Sequence, residues 1–481
     1  MNRTNLFSRK PLSSPQPGRI ALRRHLGPWH LTFMGVGGTI GAGIFVLSGT
    51  VAANYAGPAV AVSYVLAALA CGCAALCYSE FASMSDEGGS AYLYVYRSLG
   101  LFPAWMIGWS LILEYLFSAA TVAVGWSGYF CGVLNAIGLP LPEQFSSAPI
   151  VFDPIHGIGI KGVGINLPAI AIVSIVGLTL WRGIRESAWL NASLTMVKVL
   201  VILLVIGLAA SHVRPTLWHP FVPPNQGTFG HFGLSGVLRG AGVVFFAFVG
   251  FDMISTAAQE SRDPKRDLPI GLLATLAICA VLYVAMALVM TGLVPFRELN
   301  VANPIMLALN RAGDGLQQLS LLVGLAAIAG LASALVVSMY GQTRIFMAMA
   351  HDGLLPASLG RISVQRRTPA YGTMIVSALV GLAAAFMPVQ LLGELASIGT
   401  LAAFVAVCVG VSVMRRVEPD APRAFRVPWG DAFPILGTIS CLGLMATLPA
   451  DTWIRFVVWT TLGLAIFWLR RRSKTSRSMA V

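Results

Sequence analysis

Charge is scarce in this sequence. Asp, Glu, Lys and Arg together make up 11% of 481 residues, where a soluble domain carries about 25%. So few charges cannot clothe a water-exposed surface, which excludes a soluble globular chain. Acids are scarcer than bases, 19 against 32. Histidine is rare as well: His25, His30, His156, His212, His219, His231 and His351 are scattered, with none at metal-ligand spacing. No phosphate-cradling Walker loop is present. Of the seven cysteines, Cys71, Cys73 and Cys77 are close enough to suggest a metal site. On a helix, however, Cys73 and Cys77 share a face that Cys71 does not, and no histidine lies near, so they read as small packing residues. No metal and no cofactor is expected, and no constellation points to an enzyme.

What is abundant is apolar sequence, 56% of the chain. It comes in blocks of about 20 residues, the length that crosses about 30 Å of hydrocarbon. The expected fold class is an all-α polytopic membrane protein. Twelve spans are expected, at roughly 30–53, 57–80, 102–127, 163–182, 188–211, 235–258, 269–293, 318–348, 370–387, 391–414, 432–449 and 453–470. Residues 1–27, polar, basic and rich in Pro and Ser, read as a disordered tail rather than a signal peptide. Residues 472–481 read as a second tail, and 28–471 as one membrane domain.

The basic residues orient the chain. Of the 32 Lys and Arg, 25 fall on the side of the amino-terminal segment, six on the other, and Lys198 within a span. This positive-inside asymmetry places both termini in the cytoplasm of a multi-pass inner-membrane protein. The net charge of +13 then faces anionic headgroups of the lipid bilayer, not nucleic acid.

Two stretches sit oddly in this pattern. Residues 37–45, GGTIGAGIF, put four glycines inside a membrane-length segment, although glycine disfavours a helix interior by about 1 kcal/mol. Close helix packing through small residues is one reading, since Gly37 and Gly41 have GxxxG spacing. The other is an interrupted helix, tolerated where backbone lines a protein cavity. Span six, with FFAFVGFD, carries Gly250 and the acid Asp252 at mid-membrane depth, and an intramembrane acid marks a water- or ligand-lined region. The two stretches lie five spans apart, an odd offset that turns the second set of five over in the bilayer, as in an inverted repeat. A break offers N–H groups on one side and carbonyls on the other. Such a pair of breaks suits the carboxylate and ammonium of an α-amino acid.

These motifs identify a family resemblance. GGTIGAGIFVLSG, YSEFASMSDEGGSAYLYVYRSLG, FFAFVGFDMISTAAQESRDPKRDLPIG, SMYGQTRIFMAMAHDGLLP and ELASIGTLAAF resemble the amino acid–polyamine–organocation superfamily, within it the cationic amino acid transporter branch and its bacterial relatives. The resemblance implies a 5+5 inverted repeat with discontinuous helices 1 and 6 plus two extra helices. Repeat one would run about 30–211, repeat two about 235–414 and the extra helices about 432–470. It implies a secondary active L-amino acid transporter, many bacterial members being proton-coupled importers. Carried over by residue, Ile40, Gly41, Ala42 and Gly43 would offer amides to the substrate carboxylate, with the Thr39 hydroxyl assisting. The carbonyls of Phe246, Ala247 and Val249 would accept the ammonium, and Phe246 and Phe248 could form a lid.

Lys198 lies about ten residues into span five, roughly 15 Å deep. It either pins helices by donating to carbonyls or carries the coupled proton, and the resemblance places it where sodium-coupled cousins bind sodium. Glu114, mid-span three, either holds span three to a neighbour or lines the pocket or a proton relay, with Ser118 one turn on sharing its face. Asp252 reads as a cap on the second half of span six beside Gly250. Glu80 reads as a salt-bridged or gating acid near the cytoplasmic end. Tyr92, Tyr94 and Tyr96 suggest an interfacial helix with aromatic anchors, which the resemblance makes part of an inner gate. Ser333, Ala334 and Ser338 leave room for a side chain. Cationic and small neutral substrates stand level, an amino acid/amine exchanger is the alternative of the same class, and a channel or membrane enzyme fits less well.

Overall fold

The computed structural model describes residues 6–11, 26–84, 90–153, 157–160, 162–183, 188–313, 315–363 and 368–478. Most of the two expected tails, residues 1–5, 12–25 and 479–481, lies outside them. Fourteen longer helices account for most of the chain: α1 (Pro28–Thr39), α2 (Val60–Met84), α3 (Ala91–Ser98), α4 (Leu101–Ala136), α5 (Leu167–Arg182), α6 (Ala188–Ala209), α7 (Gly233–Val244), α8 (Pro264–Leu293), α9 (Pro304–Ala312), α10 (Leu316–His351), α11 (Ala370–Phe386), α12 (Val389–Val417), α13 (Ala432–Thr447) and α14 (Ala450–Ser478). Proline opens several of them at a position where its missing N–H is harmless, as in α1, α5, α8 and α9. Asn166 caps α5 by accepting the Ala169 amide at 3.2 Å, and Gly183 closes it in the left-handed conformation.

Among the described residues, eight segments are long and apolar enough to cross a membrane, and α5, α11 and α13 are shorter apolar helices. Large apolar side chains stand exposed on the outside, among them Leu200, Val281, Ile439 and Val457. In water a surface of this kind is a liability; against lipid it is the natural one. The long helix α4 forms the axis, packed by α10 and α12, while α8 lies along α1 and α2.

Three features of the structure bear on the sequence reading. The first membrane segment is interrupted at its glycines, as expected, rather than continuous over 30–53. Its opening helix stops at Thr39, and helical winding from Gly43 to Met84 spans 42 residues. At 1.5 Å per residue that would be about 63 Å, twice the hydrocarbon thickness. The chain instead turns at Gly57 and Pro58, doubling back until the Tyr64 hydroxyl reaches the Gly43 carbonyl. Second, the fold is not purely α: strands β1 (Ile150–Asp153) and β2 (Gly157–Ile160) pair antiparallel between α4 and α5, Ile150 opposite Ile160. Third, α14 continues helical through 472–478, and residues 6–11 of the supposed tail are docked. The Leu101 amide donates to Ser8, the Phe102 amide to Leu6 and the Lys10 amide to Tyr96.

Candidate functional site

The two odd stretches are where the helices are interrupted. After Thr39, Ile40 turns extended (φ −72°, ψ 98°), and the helix resumes at Gly43 in a wider winding to Leu47. After Val244 the chain tightens through Phe245–Phe248, Val249 is extended (ψ 133°), and a new helical stretch begins at Phe251. Between them Gly250 takes φ +110°, a backbone that side chains rarely allow. A Cβ there would lie 2.9 Å from the Gly38 carbonyl oxygen, and one at Gly43 would overlap the Ala247 Cα. The breaks therefore touch, bare backbone against bare backbone.

Breaking a helix frees polar groups that must find partners away from water. Four other helices supply donors to the first break. From α6, Lys198 donates Nζ–H to the Gly37 carbonyl at 2.9 Å and to Ile40 at 3.3 Å. From α8, the Tyr283 hydroxyl faces the carbonyls of Thr39 (3.0 Å) and Ala247 (2.9 Å), sharing one proton between the two breaks. Tyr64 on α2 donates to Gly43 at 3.0 Å, and Tyr129 on α4 to Phe45 at 2.7 Å. The sequence reading missed these three tyrosines. Their signal was present, since each is a hydroxyl within an apolar run, but only contacts show which backbone they serve.

A small cavity opens where the breaks meet. It is lined by Thr39, Gly41, Ala42 and Gly43 from the first break, by Phe246, Val249, Gly250 and Met253 from the second, and by Tyr115, Ser118, Val122, Ala334 and Ser338 from α4 and α10. The volume open to a water molecule's centre is about 20 Å³, room for one or two waters. Among these, Tyr115, Val122 and Met253 were not anticipated. Every lining side chain is uncharged. The Ser118 hydroxyl, buried, has no hydrogen-bond partner among described residues.

The remaining candidates stand behind this lining. Ile40 is fully buried, and its amide is taken by Val36 at 2.9 Å, which leaves Gly41, Ala42 and Gly43 to face the cavity. The Thr39 hydroxyl turns back onto Gly35 at 2.8 Å. The Phe246 carbonyl accepts the Val249 amide at 3.0 Å, while Phe248 packs edge-on to Tyr64. Glu114 and Asp252 are both buried outside the lining, each with one carboxylate oxygen lacking a partner. Glu114 sits against α12 at Gly399 and Thr400, and the amides of Asp252, Gly250 and Met253 stand beside the Asp252 carboxyl group.

At the basic-rich face of the bundle, Glu80 is 1% exposed in a knot. Arg415 reaches it through two nitrogens, Arg423 stands at 3.4 Å, and the Val427 amide donates to it at 2.8 Å. Of the three tyrosines of α3, Tyr92 and Tyr94 are buried against protein and Tyr96 is half-buried, Tyr94 stacking on Phe81 at 4.9 Å. The Tyr92 hydroxyl donates to Asp352, which also pairs with Lys10 at 2.9 Å. Burial first, then the Asp352 carboxylate, hold the Tyr92 phenol well above its ordinary pKa, so it remains a donor at neutral pH.

Comparison with known proteins agrees with this architecture. A sequence model of the amino acid permease family matches residues 26–479. The branched-chain amino acid permease BcaP of Bacillus subtilis (strain 168) is 41% identical over 465 residues, 96% of each chain. The methylthioribose transporter of the same organism is 38% identical over 471 residues, 98% of each chain. The vacuolar cationic amino acid transporter 4 of Arabidopsis thaliana is 39% identical over 408 residues, 84% of this chain and 65% of that one. All three are named for transport rather than catalysis. The chain thus belongs to the amino acid permease family, a branch of the amino acid–polyamine–organocation superfamily.

Proposed function

We propose that this permease is a proton-coupled importer of L-amino acids with small or branched apolar side chains. In this reading α1 and α7, each with its continuation, and α2, α4, α5, α6, α8 and α10–α14 make twelve crossings. The first ten form a 5+5 inverted repeat, and both termini are cytoplasmic. The amides at Gly41–Gly43 hold the substrate carboxylate. The carbonyls of Phe246, Ala247 and Val249 hold the ammonium, Ala247 by the lone pair that Tyr283 leaves open. Lys198, on the carbonyls of the first break, carries the coupled proton. Alternating access then exposes one cavity to each side in turn.

The observation that carries the reading is the lining of that cavity: backbone from two interrupted helices plus uncharged side chains. A lysine or arginine side chain placed there would lose its water without gaining a carboxylate, since Glu114 stands outside the lining. BcaP is named for branched-chain amino acids, the plant relative for cationic ones, and the cavity chemistry favours the former.

The test is proteoliposome uptake under an inward proton gradient, paired with a thermal-shift panel of the twenty amino acids and methylthioribose. Leucine, isoleucine and valine should raise the unfolding temperature and show saturable counterflow. Stabilisation by arginine and lysine alone would overturn the side-chain assignment. A response to methylthioribose alone would overturn the amino acid, and unsaturable flux would overturn the carrier.

A further inference from the structure

On the basic-rich face, a groove separates the start of α8 from the segment joining α12 to α13. It holds about 470 Å³. Lys265, Arg266 and Asp263 line its polar end, and Ile270, Leu273 and Phe425 its apolar side. Three other basic residues of this face are engaged: Arg415 and Arg423 with Glu80, Lys10 with Asp352. The side chains of Lys265 and Arg266 are exposed and make no hydrogen bond or ion pair with a described residue. With Asp263 at the same helix start, the three side chains present one net positive charge.

The apolar side does not end at the groove. Ile270 (42% exposed), Ile278 (37%) and Val281 (69%) follow one face of α8 into the membrane-length part of the helix. A ligand fitting both parts has a singly anionic head and a long apolar tail. We propose that this groove binds an anionic phospholipid, its phosphodiester between Lys265 and Arg266 and an acyl chain along Ile270, Ile278 and Val281. Phe425 is held to α2, its amide donating to Ser83 Oγ at 3.2 Å and its carbonyl accepting from it at 3.1 Å. The lipid therefore ties the segment fixed on α2 to α8, which follows the second interrupted helix.

Native mass spectrometry of the full-length protein, titrated with phosphatidylglycerol, phosphatidylethanolamine and phosphatidylcholine, tests this. The wild type should bind one phosphatidylglycerol in preference to the zwitterionic lipids. Each lost charge should weaken it about fivefold, so Lys265→Gln with Arg266→Gln weakens it about 25-fold. Arg266→Lys should restore most of the affinity to the single Arg266→Gln variant, and Arg182→Gln, at another exposed helix end, should leave it unchanged. Soluble glycerol 1-phosphate should not compete, because it lacks the tail. Equal retention of phosphatidylglycerol by wild type and double variant overturns the proposal, as does equal binding of the zwitterionic lipids. Equal weakening by Arg182→Gln, or competition by glycerol 1-phosphate, also overturns it. Should the double variant fail to fold, Arg266→Gln alone decides at its fivefold.

Discussion

Tyr283 has one proton and faces two carbonyls, Thr39 and Ala247, that belong to different broken helices. A buried acceptor stripped of its donor costs about 1–3 kcal/mol. Tyr283→Phe should therefore lower the unfolding temperature in detergent while preserving shape, and an unchanged midpoint would refute the bridge. Lys198 performs the same service for Gly37 and Ile40 with a charge, its stem against Gly330. We predict that Lys198→Ala abolishes proton-driven accumulation but leaves counterflow. Lys198→Met, which keeps the stem, should behave alike. Gradient-driven uptake at the wild-type level in either variant would remove Lys198 from the coupling.

Among the elements, the second broken helix depends most on one conformation. Gly250 at φ +110° both turns the chain and lets it cross Gly38. Alanine meets strain of about 1–3 kcal/mol from that backbone alone, and its Cβ would press on the Gly38 carbonyl 2.9 Å away. Gly250→Ala should lower the unfolding temperature and weaken substrate-induced stabilisation together. A variant that loses neither would show the crossing to be dispensable. GGTIGAGIF and FFAFVGFD announced both breaks in the sequence, because glycine in an apolar span and an acid at its middle are costly without a purpose. The donors that complete the breaks were not legible: Tyr64, Tyr129 and Tyr283 look like ordinary aromatic packing until three distant helices are brought together.

The whole bundle is stapled at its basic-rich face. Glu80 on α2 holds Arg415 at the end of α12 and Arg423 beyond it. Removing one partner of a buried ion group leaves the others desolvated, at about 3 kcal/mol or more. Glu80→Ala should destabilise the protein accordingly, and Glu80→Ala combined with Arg415→Ala should cost less than the two singly. Additive losses, read from thermal unfolding, would refute the coupling. Glu80 could be assigned a salt bridge from its position near basic loops. Which arginines meet it, 335 residues away along the chain for Arg415, could not.

The sequence by itself determined the solvent, the family and the places where helices break. These follow from composition and local pattern: too little charge for water, apolar blocks of membrane length, glycine where a helix should not want it. Tertiary structure alone decided which donors meet the freed carbonyls, that Glu114 stands behind the cavity rather than in it, and that residues 6–11 dock instead of trailing. The reason is that burial and hydrogen bonding depend on which helices meet. Pattern along one helix fixes a face, and only packing chooses what that face touches.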